Sequence, residues 1–235
     1  MELQKVTEAL PQPEHGRWYQ DACGTAFAME LIGERWSLLV VRELMLGPRR
    51  FSDLRASLPG ISAKVLTERL ASLEAAGALV RRKLPPPASV QVYELTAWGY
   101  AAEPAIQELG RWAAMHRGHD PQLPLSPVSL MLSLRTMMDR GAAKALELIA
   151  GVAVGDDHFL AELKGGEMPV RRSDAAEVAE KADVALAADA PLPLLRLIYG
   201  KQPLEQAEQA GVRFSGDRAL AEQFIALFSL PEKLA

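Results

Sequence analysis

Ser62-Ala63-Lys64-Val65-Leu66-Thr67-Glu68-Arg69-Leu70-Ala71-Ser72-Leu73-Glu74-Ala75-Ala76-Gly77 is the stretch on which the fold turns. Leu66, Leu70 and Leu73 recur at spacings of four and three, so a helix here carries one narrow apolar stripe. Ser62 suits the N-cap, because its hydroxyl can accept from an otherwise unpaired amide of the first turn. Gly77 suits the left-handed residue that ends a helix. The predicted helix runs from Ser62 to about Ala76 and turns Lys64, Thr67, Glu68 and Ala71 away from its buried side.

Upstream, Pro59-Gly60 breaks a short helix predicted from about Ser52, with Leu54 and Leu58 buried. Before that, Phe27, Leu31, Leu38, Val41, Leu44 and Met45 keep helical spacing from Phe27 to Met45, and Gly47-Pro48 stops the run. Downstream, Leu79 to Lys83 and Val90 to Leu95 are short extended runs around a turn at Pro85 to Ser89, which reads as a hairpin. Thr96 then caps a final helix through Tyr100, Ile106, Leu109 and Trp112. Helix, turn, helix, hairpin is the order of a winged helix-turn-helix.

The charge fits that order. From Arg35 to Lys83 ten cations stand against four anions, a local net of +6 in a chain whose net charge is −4. A basic segment inside an acidic protein is the footprint expected of a nucleic-acid contact. Ser62, Lys64, Thr67 and Glu68 sit where a recognition helix meets base edges or phosphates. Arg81, Arg82 and Lys83 fall where a wing meets the backbone, and Arg49 and Arg50 open the helix that crosses it. Glu68 can accept from a cytosine amino group or pair with Lys64 four residues earlier.

These residues resemble the HxlR family of bacterial regulators. The match runs from Cys23 through Glu34-Arg35-Trp36-Ser37-Leu38-Leu39-Val40 and Arg49-Arg50-Phe51-Ser52-Asp53-Leu54. It continues over Pro59 to Leu70, Leu73-Glu74, Gly77, Tyr93-Glu94-Leu95-Thr96, Gly99 and Leu109-Gly110-Arg111-Trp112. The resemblance implies a homodimer built on the first and last helices of this half, bound to a roughly palindromic double-stranded operator. It also implies a redox role for Cys23, since an early cysteine senses oxidants in some members. The residues alone favour an inert buried thiol, since nothing near it in sequence clearly lowers its pKa, and a lone cysteine would need an intermolecular partner to sense by disulfide.

A seam follows. His119 to Pro127 holds three prolines, which interrupt any helix and favour an extended linker. The domains expected are a winged helix over 1–118, a linker over 119–128 and a second domain over 129–235. Beyond the seam a helix is predicted over Ser129 to Arg140, then strands over Ala145 to Val154, His158 to Leu163 and Met168 to Arg172. Turns at Gly155-Asp156-Asp157 and Gly165-Gly166 separate those strands. A strand over Ala182 to Leu186, short helices over Pro193 to Tyr199 and Leu204 to Ala210, a strand over Val212 to Phe214 and a closing helix over Arg218 to Phe228 complete the reading.

This half resembles the sterol carrier protein type on Ala182 to Leu186, Leu194-Leu195, Tyr199-Gly200, Gly211 to Asp217 and Phe224 to Phe228. The fold class is thus α+β, a winged helix-turn-helix followed by a small sterol-carrier-like module. The resemblance implies an apolar pocket for a small hydrophobic effector, with Leu194, Leu195, Ile198, Leu204, Phe214, Phe224, Leu227 and Phe228 as its lining.

Other classes find little support. One cysteine allows neither a disulfide framework nor a multi-cysteine metal site, and His15, His116, His119 and His158 are too scattered for ligands. No Gly-rich phosphate loop, metal triad or Ser-His-Asp order is present, so neither enzyme nor cofactor is expected. Met1 to Lys5 start no secretory signal, and no apolar run reaches the ~18 residues of a membrane span, so a cytoplasmic protein is expected. The rival function is a dimeric carrier or sensor of a hydrophobic molecule, with the winged helix serving mainly dimerisation. The cluster of Lys64, Arg81, Arg82 and Lys83 has no use in that role.

Overall fold

The computed structural model describes residues 19–85 and 89–234. His15 and the middle of the proline turn lie outside the described residues.

The stretch that opens the sequence argument folds as predicted. Helix α4 (Ala63–Ala75) buries Leu66, Leu70 and Leu73. The Ser62 hydroxyl accepts from the Val65 amide at 3.2 Å, and Gly77 closes the helix at φ +74°. Ahead of it stands α3 (Phe51–Ser57), which buries Leu54. Behind it, β1 (Leu79–Lys83) pairs antiparallel with β2 (Gln91–Leu95), Leu79 opposite Leu95 and Lys83 opposite Gln91. Arg49 adds a rung: its amide donates to the Tyr93 carbonyl at 3.0 Å, and its carbonyl accepts from the Tyr93 amide at 2.8 Å.

The single helix expected from Phe27 to Met45 is two, α1 (Gly24–Ile32) and α2 (Ser37–Leu44). Trp36 takes a left-handed φ of +79° between them, a conformation that a bulky residue adopts only when its surroundings impose it. The Arg35 guanidinium lies 5.4 Å from the Trp36 ring centroid, and Glu34 pairs with Arg69 of α4 at 3.1 Å. The kink sends α2 into the core, where Val40, Val41 and Leu44 are buried, and leaves α1 outside it. The last helix of this half is likewise broken, into α5 (Ala97–Tyr100) and α6 (Glu103–Ala114), with Thr96 capping the first by accepting from the Gly99 amide at 3.0 Å.

The second half is a five-stranded sheet with helices. Its elements are α7 (Pro127–Met137), α8 (Arg140–Ala143), β3 (Leu148–Val154), β4 (Asp157–Leu163), β5 (Val170–Ser173), α9 (Ala175–Lys181), β6 (Val184–Ala188), α10 (Pro191–Ile198), α11 (Leu204–Gln209), β7 (Arg213–Gly216) and α12 (Arg218–Ala226). The strand order is β5-β4-β3-β6-β7, and the β3–β6 pair alone is parallel. The turns at Gly155 and Gly165-Gly166 fall where the sequence puts them, all three glycines at positive φ. Three features differ: α7 starts at Pro127, within the span read as linker, and ends at Met137, while α8 and α9 are helices the sequence did not announce.

Buried apolar side chains run without interruption from the first half into the second. Polar links cross the same seam. Glu43 of α2, with no exposed surface, accepts from Ser126 at 2.7 Å, and Arg135 of α7 pairs with Glu103 of α6 at 2.5 Å. Arg111 donates to the Thr136 carbonyl. Lys233 donates to the carbonyls of Ala114, His116 and His119, tying the tail to the end of α6.

Candidate nucleic-acid interface

Burial of three leucines under α4 fixes which side chains it offers to solvent. Lys64 is 86% exposed, and Ser62, Thr67 and Glu68 are exposed beside it. The Thr67 hydroxyl donates to the Ala63 carbonyl at 2.9 Å, so its oxygen remains an acceptor toward solvent. Glu68 stands 4.0 Å from Lys64 and 3.9 Å from Arg69, loose pairs that leave the carboxylate half exposed. This is a polar, partly cationic ridge on a rigid helix.

The wing strand adds charge. Arg81 donates to Glu74 of α4 at 2.6 Å, which braces β1 against the recognition helix, and that hydrogen bond also raises the guanidinium pKa. Arg82 pairs with Glu94 on the neighbouring strand while staying 63% exposed. Lys83 is exposed. Arg50, exposed at the start of α3, has its amide 3.4 Å from the Asp53 carboxylate.

Arg49 stands apart from this face. Its guanidinium is 12% exposed and donates to Asp157 of β4 at 2.9 Å and to Ser57 at 3.3 Å. Arg172 of β5 donates to the same Asp157 oxygen and lies 5.1 Å from the Phe159 ring centroid. Burial pushes the Asp157 carboxyl up, but the hydrogen bonds and charges of Arg172 and Arg49 outweigh it and hold it below the usual carboxylate range. Burial, reinforced by the charge of Arg49, lowers the Arg172 guanidinium despite Asp157. Sequence reading missed Asp157 and Arg172, because the first lies 108 positions from Arg49 and nothing local marks the pairing.

Cys23 is exposed, which corrects the reading of it as a buried thiol. It stands at the N-cap position of α1, and the nearby amides of Thr25 and then Ala26, with the Thr25 side chain, hold its thiol below the ordinary value. The residues expected to line an apolar pocket are placed differently. Leu194, Leu195, Ile198, Phe224, Leu227 and Phe228 are buried in the core, with Phe224 and Phe228 edge to face at 4.9 Å, and Phe214 lies partly buried under Arg218. Leu204 faces an open groove of about 720 Å³, which it lines with Leu197, Lys201, Arg218, Glu222 and Ile225 among others.

Fold and site together define a winged helix-turn-helix protein with a polar recognition helix. The chain belongs to the HxlR-like helix-turn-helix family, whose profile matches residues 31–121. It is 40% identical over 87 residues to the uncharacterized HTH-type transcriptional regulator YvaP of Bacillus subtilis, covering 37% of this chain and 80% of that one. The HTH-type transcriptional regulator YodB of the same organism is 40% identical over 86 residues, covering 37% and 77%. The solved reduced form of YodB covers 43% of this chain and 100% of its own, at 35% identity and a TM-score of 0.38. The protein is accordingly a DNA-binding transcriptional regulator of the helix-turn-helix type. Among the described residues no helix is long and apolar enough to cross a membrane.

Proposed function

We propose that the protein is a homodimeric, sequence-specific repressor whose second half senses a small hydrophobic effector. One observation carries the DNA reading: the leucine stripe of α4 is buried while Ser62, Lys64, Thr67 and Glu68 are exposed opposite it, beside the wing. In this reading Lys64 and Thr67 meet base edges and Ser62 and Glu68 flank them. Arg50, Arg81, Arg82 and Lys83 bind phosphates, and Arg49 takes no part because Asp157 occupies it. Exposed apolar residues on α1 (Phe27, Met29) and α6 (Leu109, Trp112) support a dimer built on those helices. A dimer seated on a promoter blocks access to it, hence repression.

The strand order of the second half and its single parallel pair support a sterol-carrier-like module, divided from the first half at residues 119–128. The groove beside Leu204 is the place it offers an effector, with an apolar wall and a charged rim. Effector binding would shift DNA affinity through a coupling of about 1–3 kcal/mol. The carrier alternative is not favoured, since it leaves the exposed Lys64 and Lys83 without a role.

The test is fluorescence anisotropy with DNA from the protein's own promoter region at two salt concentrations. Saturable, salt-sensitive binding that Lys64→Ala and Arg82→Ala both weaken supports the reading. Binding that ignores DNA sequence and both substitutions refutes it.

A further inference from the structure

We infer that Asp157 is a positioning residue for DNA binding: through Arg49 it fixes α3 and the base of the wing against the second half, and it keeps the Arg49 charge off the DNA backbone. The inference rests on the DNA face proposed above.

Arg49 is a junction. It lies two residues before α3, its backbone is bonded both ways to Tyr93 of β2, and its guanidinium reaches Ser57 at the far end of α3. The same guanidinium then crosses the seam to Asp157, at the start of β4. One residue therefore joins the wing, through its backbone, to the far end of α3 and the second half, through its side chain. Among the described residues, the other polar links across the seam end on α2, on α6 or on the segment just after it. The Asp157 link alone lands on the helix-turn-helix pair.

The charges say why Asp157 matters. Arg49 and Arg172 share one carboxylate oxygen, so a single negative charge holds two cations together. Arg49 Nε and Arg172 Nε and Nη2 are buried with no hydrogen-bond partner, and beyond Asp157 the charge that favours the Arg172 cation is that of Glu43. With a neutral amide at position 157 an oxygen acceptor remains, but the negative charge that offsets the two guanidiniums is gone and they repel one another. Arg172 remains packed on Phe159. Arg49 has somewhere to go, because it adjoins the exposed Arg50 at the start of α3, where the phosphates lie in the proposed complex.

The full-length protein is titrated with operator and with unrelated duplex across a salt series. Asp157→Asn is expected to steepen the dependence of log affinity on log salt by about one unit per protomer, as one added phosphate contact does. It is also expected to tighten binding to unrelated DNA, so that the preference for operator falls several-fold. Asp157→Glu keeps wild-type behaviour. Arg49→Gln keeps the wild-type slope, because Arg49 touches no phosphate in the native protein, and in the double variant it cancels the gain. If Asp157→Asn lowers thermal stability while slope and preference stay put, the residue is only a brace and the inference is overturned. If Asp157→Asn does not fold, Arg49→Gln decides alone: a slope shallower by about one unit means that Arg49 already binds phosphate, and the inference fails. Lys64→Ala runs alongside; unchanged binding there defeats the DNA-face reading itself, whatever Asp157 does.

Discussion

The carboxylate of Glu43 and the hydroxyl of Ser126 meet at 2.7 Å across the seam, the first fully buried on α2 and the second capping α7. Ser126 also accepts from the Ser129 amide at 3.0 Å, and Arg42 pairs with the same Glu43 oxygen at 2.8 Å. The segment that composition reads as an extended linker thus ends in a hydrogen bond to a buried charge. Such bonds are stronger than neutral ones, and losing one strands a desolvated carboxylate.

Ser126→Ala removes that donor and the N-cap together. A cap is worth about 1 kcal/mol and a hydrogen bond to a charged group about 1.5–3, so the expected loss is roughly 2–4 kcal/mol. Urea unfolding followed by circular dichroism measures it, and Ser126→Thr should recover most of it. A loss under about 0.5 kcal/mol, the range of ordinary surface substitutions, would show that water replaces Ser126 at no cost.

Two substitutions on α4 should separate folding from binding. Leu66 has no exposed surface, so Leu66→Ala should cost about 2–5 kcal/mol of stability through lost burial and a residual cavity. Lys64→Ala should change stability by less than about 0.5 kcal/mol while weakening DNA binding. Thermal melts and anisotropy titrations on both variants check this. A stable Lys64→Ala protein with undiminished affinity would remove α4 from the DNA face.

What the sequence could announce was whatever depends on near neighbours. The α4 stripe, the Ser62 cap, the Gly77 stop and the glycine turns between β3, β4 and β5 are each set within a few positions. The break at Trp36 was invisible, because apolar spacing continues through it and a tryptophan carries no turn signal. Helix α9 was invisible for another reason: over seven residues it buries only Val178, so no period exists to read. Arg49 looked like a phosphate contact by position, and only the fold could bring Asp157 to it. The apolar residues of α10 and α12 were legible as buried, but their pattern cannot tell a packed core from the wall of a cavity.

Acid should open the seam at Asp157. The folded carboxyl is held below its unfolded value near 4, so its stabilisation is complete above that value and is lost as pH falls through the lower, folded one. Wild-type stability should therefore decline more steeply below pH ~4 than that of Asp157→Asn, which has no such carboxyl to protonate. Urea midpoints of both proteins over a pH series test this, and parallel curves would contradict it.

Cys23 should ionise at lower pH in the native protein than in the unfolded chain. Its folded pKa is lowered by the first-turn amides of α1, so the thiolate persists to lower pH in the native protein than in the unfolded chain. Iodoacetamide labelling rates against pH, native and in urea, should give a lower midpoint for the native form. Coincident midpoints would show that the α1 amides do nothing for the thiol and would leave a sensing role unsupported.

Trp112 is 70% exposed on α6, with Leu109 one turn before it at 46%. An indole held in water by a rigid helix contributes little to the protomer, so its presence calls for a partner surface. If α1 and α6 form the proposed dimer, Trp112→Glu buries a charge at the centre of the interface and should give a monomer in sedimentation equilibrium. The protomer should melt close to wild type, because the substituted side chain was solvated from the start. Operator affinity should nevertheless fall by about 10²-fold or more, since two linked half-sites gain at least that much from effective concentration. Unrelated DNA, which rewards charge rather than spacing, should lose far less. A wild-type protein already monomeric at the concentrations that bind operator would sink the proposed dimer, and Trp112 would then need another occupant.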